Sequence, residues 1–108
     1  MRLLLDECVP ARLRHALPSH QVSTVVQEGW SGIKNGTPLA LAAAGFDALI
    51  TVDKNLPYQQ NTSKLPVAVL VLDAVSNELP FLLSLVPALE EALLNLKPGN
   101  VVLVRLDA

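Results

Sequence analysis

The chain has a single cysteine, Cys8, among its 108 residues. One thiol excludes an internal disulfide framework and a cysteine-rich zinc module, and makes a reducing compartment the simplest setting. Histidine is nearly as scarce. His15 and His20 are too few for a zinc site and read as surface residues. Charge is sparse too: 17% of residues are charged, eight basic against ten acidic, for a net charge of −2. So low a charged fraction, with 51% apolar residues, argues against disorder. The balance does not mark a nucleic-acid binder, although a local basic rim or a bound metal reverses the sign at a site. No uncharged stretch approaches the roughly 20 residues of a membrane span. The longest candidate, 79–89, carries Pro80, Ser84 and Pro87 and runs into Glu90-Glu91. Leu3-Leu4-Leu5 is too short for a signal-peptide core and is closed by Asp6-Glu7. Repeats and low-complexity segments are lacking. The expectation is one domain over 1–108, cytoplasmic, with no membrane association.

What is present is a series of short apolar runs. Leu3-Leu4-Leu5, Ala48 to Val52 and Val67 to Leu72 are nearly unbroken, as in strands covered on both faces of a parallel sheet. Gln21 to Val26 and Val101 to Leu106 read as two further strands from their β-branched content. Between them lie helical segments. Pro10 opens one that buries Leu13, Ala16 and Leu17 and stops at Pro18. Thr37-Pro38 opens a second, ended by Gly45. The third, 79–96, places Leu82, Leu85, Val86, Leu89, Leu93 and Leu96 on a 3.6-residue period. Pro87 predicts a kink, or two short helices meeting near Ser84. The alternation predicts an α/β fold: a three-layer α/β/α domain around a mainly parallel sheet.

In such sheets, ligands bind outside the carboxyl ends of the strands. That rule selects Asp6 and Glu7 after the first strand, Asp53 after the third and Asp73 after the fourth. Acids brought to one edge from distant positions suit Mg²⁺ or Mn²⁺, which take carboxylate oxygens and keep several waters. Taken alone, any one of them reads more readily as a solvated loop residue or helix cap; three on one edge put the metal reading level with that.

The segments L-L-L-D-E-C-V-P at 3–10, G-W-S-G-I-K-N-G at 29–36 and L-I-T-V-D-K-N-L at 49–56 resemble a family of small PIN-like proteins. These stand near the PIN nuclease superfamily, which includes the ribonuclease toxins of toxin–antitoxin pairs. The resemblance runs from Met1 to about Val104. It is most specific at Thr51-Asp53-Asn55, the T-x-D-x-N element after an apolar strand. It implies a PIN-like fold and a Mg²⁺- or Mn²⁺-dependent endoribonuclease in which metal-activated water attacks a phosphodiester. Asp6 and Asp53 match the metal-holding acids. Glu7 and Asn55 assist, Asn55 standing where these nucleases often carry another acid. The mid-chain acid of the family is replaced: this chain has Asn35-Gly36-Thr37-Pro38-Leu39 where relatives read N-G-E-L-L, so a Thr37 hydroxyl stands in for a carboxylate.

Around these, Arg12, Arg14, Lys34 and Lys54 are candidates for RNA phosphate. Trp30 is a candidate for stacking a base, or a plug beneath its glycine-rich loop. Cys8 reads as a small buried hydrophobe. The leading expectation is a ribonuclease acting on RNA, with an antitoxin protein as a further partner. The rival is a non-catalytic PIN-like module that binds RNA or protein, favoured by Thr37. A third reading is a homodimer built on the Leu/Val-rich face of 79–96.

Overall fold

The computed structural model describes residues 1–29, 45–54, 67–97 and 99–105. The helix expected after Thr37 lies outside these residues. Five strands, β1 (Arg2–Leu5), β2 (Gln21–Thr24), β3 (Ala48–Thr51), β4 (Ala68–Leu72) and β5 (Val101–Val104), form one sheet in the order β2-β1-β3-β4-β5. Every neighbouring pair is parallel, with Leu5 opposite both Thr24 and Ile50, and Thr51 opposite Val71. The expected α/β architecture around a parallel sheet is therefore present. The three runs at 3–5, 48–52 and 67–72 are adjacent, and their carboxyl ends share one edge.

The unbroken apolar runs follow from burial on both faces. Leu3, Leu5, Ala48, Ile50, Leu70 and Leu72 form one core with Leu13, Leu17, Leu82, Leu85, Leu89 and Leu93. Leu4, Leu49, Val69 and Val71 form the other core, with Val25, Phe46 and Val67. At about 1.5–3 kcal/mol per fully buried large apolar side chain, these two layers carry the fold.

The segment after Pro10 is a single short 3-10 helix, Ala11–Ala16, with Pro10 as its N-cap and the Leu17 N–H bonded to the Arg14 carbonyl. Pro10 and Pro18 bound this segment on either side. The 79–96 segment is two helices, α1 (Leu79–Leu83) and α2 (Val86–Leu94), broken at Ser84–Leu85. Pro80 and Pro87 each lie in the first two residues of their helix, where the backbone N–H has no intrahelical acceptor to lose. The Ser84 hydroxyl donates to the Phe81 carbonyl at 2.7 Å and closes the first helix. The apolar face of this pair is spent on the sheet: Leu82, Leu85, Leu89 and Leu93 are all buried. Those four side chains are therefore not on offer to a second copy of the chain, while Phe81, Leu83 and Leu94 of the same two helices stay exposed.

His20 departs from the surface role expected of it. Its side chain is only 13% exposed and its Nε2 meets Glu90 Oε1 at 2.7 Å, pinning the turn before β2 to α2.

Candidate functional site

The strand order reverses beside β1. The chain leaves β1 towards β2 on one side, whereas β3, β4 and β5 lie on the other. The loops after β1 and β3 therefore diverge, and the crevice between them is the usual ligand site of a parallel sheet. Asp6 is the first residue past β1. Its backbone N–H continues the ladder to the Ile50 carbonyl at 2.9 Å, which fixes where the carboxylate starts.

Thr51, the last residue of β3, is the centre of this crevice. It is fully buried. Its hydroxyl donates to Asp6 Oδ2 at 2.8 Å and accepts the Asp53 backbone N–H at 3.0 Å. Cys8 Sγ lies 3.4 Å from the same hydroxyl and 3.7 Å from Asp6 Oδ2. Asp6 Oδ1 accepts the Glu7 N–H at 2.9 Å. One hydroxyl thus ties the carboxylate of Asp6 to the turn that carries Asp53. This is a local threonine-to-backbone bond of the kind that ends strands and begins turns. In the sequence Thr51 stands out only as part of the T-x-D element. The available signal was a hydroxyl closing the otherwise apolar run Ala48-Leu49-Ile50.

Cys8 is partly buried, and burial pushes its thiol above the ordinary range; the nearby Asp6 charge acts in the same direction, against opposing hydrogen bonds from Thr51 and Val52. A thiol held in its neutral form is a poor nucleophile, so packing is the use this position supports. The loop that carries it is anchored by the Asn77 side-chain amide, which donates to the Cys8 carbonyl at 3.1 Å.

Asp73 follows β4 on the same edge but has other partners. It pairs with Lys54 and, at 3.7 Å, with Arg105. The Lys54 hydrogen bond, reinforced by the charges of Lys54 and Arg105, holds its carboxyl below the ordinary range despite some desolvation. Lys54, a candidate for phosphate contact, is thereby engaged by an acid. Among the described residues no three His, Cys, Asp or Glu side chains gather as a metal cage. One carboxylate, that of Asp6, is fixed on the Thr51 hydroxyl, and the Asp53 backbone is bonded to the same oxygen. So few fixed donors suit a hard cation that keeps most of its waters rather than one that needs a full protein shell.

On the β2 side of Asp6 a cavity of about 440 Å³ opens between the 3-10 helix and the turn after β2. Its walls include Val9, Pro10, Ala11, Val25 and Val26, with Asp6, Glu7 and Arg14 as its charged residues. The turn is shaped by a reciprocal pair. Thr24 N–H donates to Gln27 Oε1, and Gln27 N–H donates to Thr24 Oγ1, both at 3.0 Å. This T-x-x-Q capping box ends β2 at Thr24, two residues short of the expected strand. Arg14 lines the cavity and Arg12 does not. Trp30, Lys34, Thr37 and Asn55 lie outside the described residues, as does any part they play at the site. Among the described residues no helix is long and apolar enough to cross a membrane.

No family model matches the chain, and no curated protein or solved structure matches it either.

Proposed function

We propose that the chain is a PIN-like, Mg²⁺- or Mn²⁺-dependent endoribonuclease acting on single-stranded RNA, the toxin of a cytoplasmic toxin–antitoxin pair. The observation that carries this reading is the Thr51 hydroxyl, which joins the Asp6 carboxylate to the Asp53 turn where the strand order reverses. Asp6 and Asp53 hold the cation, and Thr51 keeps Asp6 oriented towards the crevice. Glu7 and Asn55 assist. When bound, the cation neutralises phosphate charge and activates water for in-line attack. Cys8 stays protonated and supplies packing beside the acids. Arg14, on the cavity wall, is the described cation best placed to receive backbone phosphate, and Arg12 and Lys34 are further candidates for it.

A second reading is a PIN-like module that binds RNA or a protein partner without cutting. It is favoured by the pairing of Asp73 with Lys54 and Arg105, which commits a third acid of that edge to cations of the chain itself. The discriminating assay is cleavage of fluorescently labelled single-stranded RNA in Mn²⁺. The nuclease reading expects slow cutting that EDTA stops and that Asp53→Asn abolishes. Thr37→Glu, which supplies the acid found in relatives, should raise the rate. A wild type that binds RNA without cutting it, but cuts as Thr37→Glu, belongs to the second reading. A protein that neither cuts nor binds RNA refutes both for RNA. A homodimer would have to use surface other than the buried face of α1 and α2. The β5 edge, where Val101 and Leu103 are each 42% exposed, is the alternative, and sedimentation of the purified chain tests it.

A further inference from the structure

We infer that the cavity between the 3-10 helix and the turn after β2 is a subsite for one nucleotide unit, its base between apolar walls and its phosphate on Arg14. The inference deepens the ribonuclease reading and rests on it for the choice of ligand.

Three observations support it. The cavity lies at the carboxyl ends of β1 and β2 and shares Asp6 with the crevice at Thr51, so the two adjoin. Its volume, about 440 Å³, falls within the range of small-molecule sites. Its walls are apolar on two opposed elements: Val9, Pro10 and Ala11 on one, Val25 and Val26 on the other. Val26 is 65% exposed, an apolar side chain left at the cavity mouth with little to cover it. A flat, largely apolar ring bearing polar edges fits such a slot.

Charge orients that ring. Arg14 is the one cation that lines the cavity among the described residues, and its guanidinium pairs with no described carboxylate. Asp6 and Glu7 disfavour a phosphate at their own end, so the phosphate belongs with Arg14. At the carboxylate end Asp6 Oδ1 has a lone pair beyond the one taken by the Glu7 N–H, and it accepts hydrogen bonds from amino groups. Bases with an exocyclic amino group, namely adenine, cytosine and guanine, are therefore favoured over uracil.

The test is calorimetric or NMR titration of the whole chain with AMP, CMP, GMP, UMP, ribose 5-phosphate and a short single-stranded RNA, in EDTA and again in Mg²⁺. The amino-bearing nucleotides should bind at least tenfold tighter than ribose 5-phosphate and tighter than UMP. Ala11→Trp fills the cavity from an exposed position and should cost tenfold or more in nucleotide affinity while the melting temperature holds. Val26→Asp, also exposed, should do the same. Arg14→Gln should weaken AMP and ribose 5-phosphate alike but leave adenosine unchanged. If the RNA binds and free nucleotides do not, yet Ala11→Trp lowers RNA affinity tenfold, the subsite holds a unit of the chain rather than a free metabolite. Equal binding of ribose 5-phosphate and AMP, preference for UMP, or wild-type affinity for every ligand in both cavity variants overturns the inference. Because binding is read in EDTA, its outcome is separate from cleavage. RNA cutting that is indifferent to Ala11→Trp, without base-dependent binding, removes the subsite and spares the nuclease. Base-dependent binding by a protein that cuts nothing does the reverse.

Discussion

Replacing Thr51 with valine keeps the shape of a fully buried side chain and removes only its hydroxyl. Three groups lose a partner. Asp6 Oδ2 loses the donor at 2.8 Å, the Asp53 N–H loses its acceptor at 3.0 Å, and Cys8 Sγ loses a contact at 3.4 Å. A hydrogen bond to a charged group contributes about 1.5–3 kcal/mol, and stranding a partly buried N–H costs about 1 kcal/mol more. The added methyl returns some of this, because it lies in an apolar sheet. The net expectation is a loss of about 2–3 kcal/mol. For a domain of this size that lowers the melting temperature by roughly 10–20 °C, at about 4–8 °C per kcal/mol. Thr51→Ser is the control. It keeps the hydroxyl, removes one buried methyl group, and should cost about 1 kcal/mol.

Urea unfolding of the three proteins at pH 7 measures these differences directly. A second readout addresses the site. Mn²⁺ should raise the melting temperature of the wild type, since a ligand of the native state stabilises it. It should do so less for Thr51→Val, because Asp6 is no longer held, and least for Asp6→Asn. The reasoning fails if Thr51→Val lies within 0.5 kcal/mol of Thr51→Ser, because the hydroxyl would then hold nothing together. Equal Mn²⁺ shifts in wild type and Asp6→Asn would place any cation elsewhere.

Other consequences are simpler to state. Leu89→Ala should cost about 2–5 kcal/mol, since Leu89 is buried in the core between α2 and the sheet, whereas Leu94→Ala, at a side chain 84% exposed, should cost under about 0.5 kcal/mol; urea titration separates the two. Cys8, partly buried with its thiol held neutral, should react with a bulky thiol reagent far more slowly in the native protein than in urea, and rapid complete native labelling would contradict its packing role. Asp73 has a folded-state carboxyl below its ordinary range, so its contribution is present above about pH 4 and is lost as acid protonates it. Asp73→Asn should therefore flatten the acid limb of a stability-against-pH curve; an unchanged limb would show that Lys54 and Arg105 add nothing there.

The parts of this fold that sequence reveals are those set by solvent. A run such as Val67 to Leu72 has no polar residue to spare for water, so it must be covered on both faces, and Leu70 and Val69 are indeed buried in opposite cores. Strand ends are harder, because they are set by local hydrogen bonds rather than burial. Val25 and Val26 extend the β-branched run of β2, yet the Thr24–Gln27 pair turns the chain across them, and only the Val25 N–H still reaches β1, at the Leu5 carbonyl. Pro87 similarly looks like an interruption on a helical period. Once the chain breaks at Ser84, it is an ordinary residue in the first turn of α2.

The site is legible to a different depth. Strand ends locate Asp6, Asp53 and Asp73 on one edge, but only strand order says which can act together. With β3 between β1 and β4, Thr51 joins the first two acids, while Lys54, one residue after Asp53, turns to Asp73 beyond β4. A cation that sequence offers to RNA is thereby assigned to an acid that sequence offers to a metal, and the two offers cancel. Arg14 gains what Lys54 loses, because the phase of a six-residue 3-10 helix puts it, and not Arg12, on the wall beside Asp6. If Arg14 serves the site and Lys54 is structural, Arg14→Gln should weaken RNA binding several-fold without moving the acid limb of stability. Lys54→Gln should move the acid limb and leave RNA affinity near wild type. The opposite assignment of effects would mean that phosphate passes on the β4 side of the crevice and that the cavity beside Arg14 plays no part.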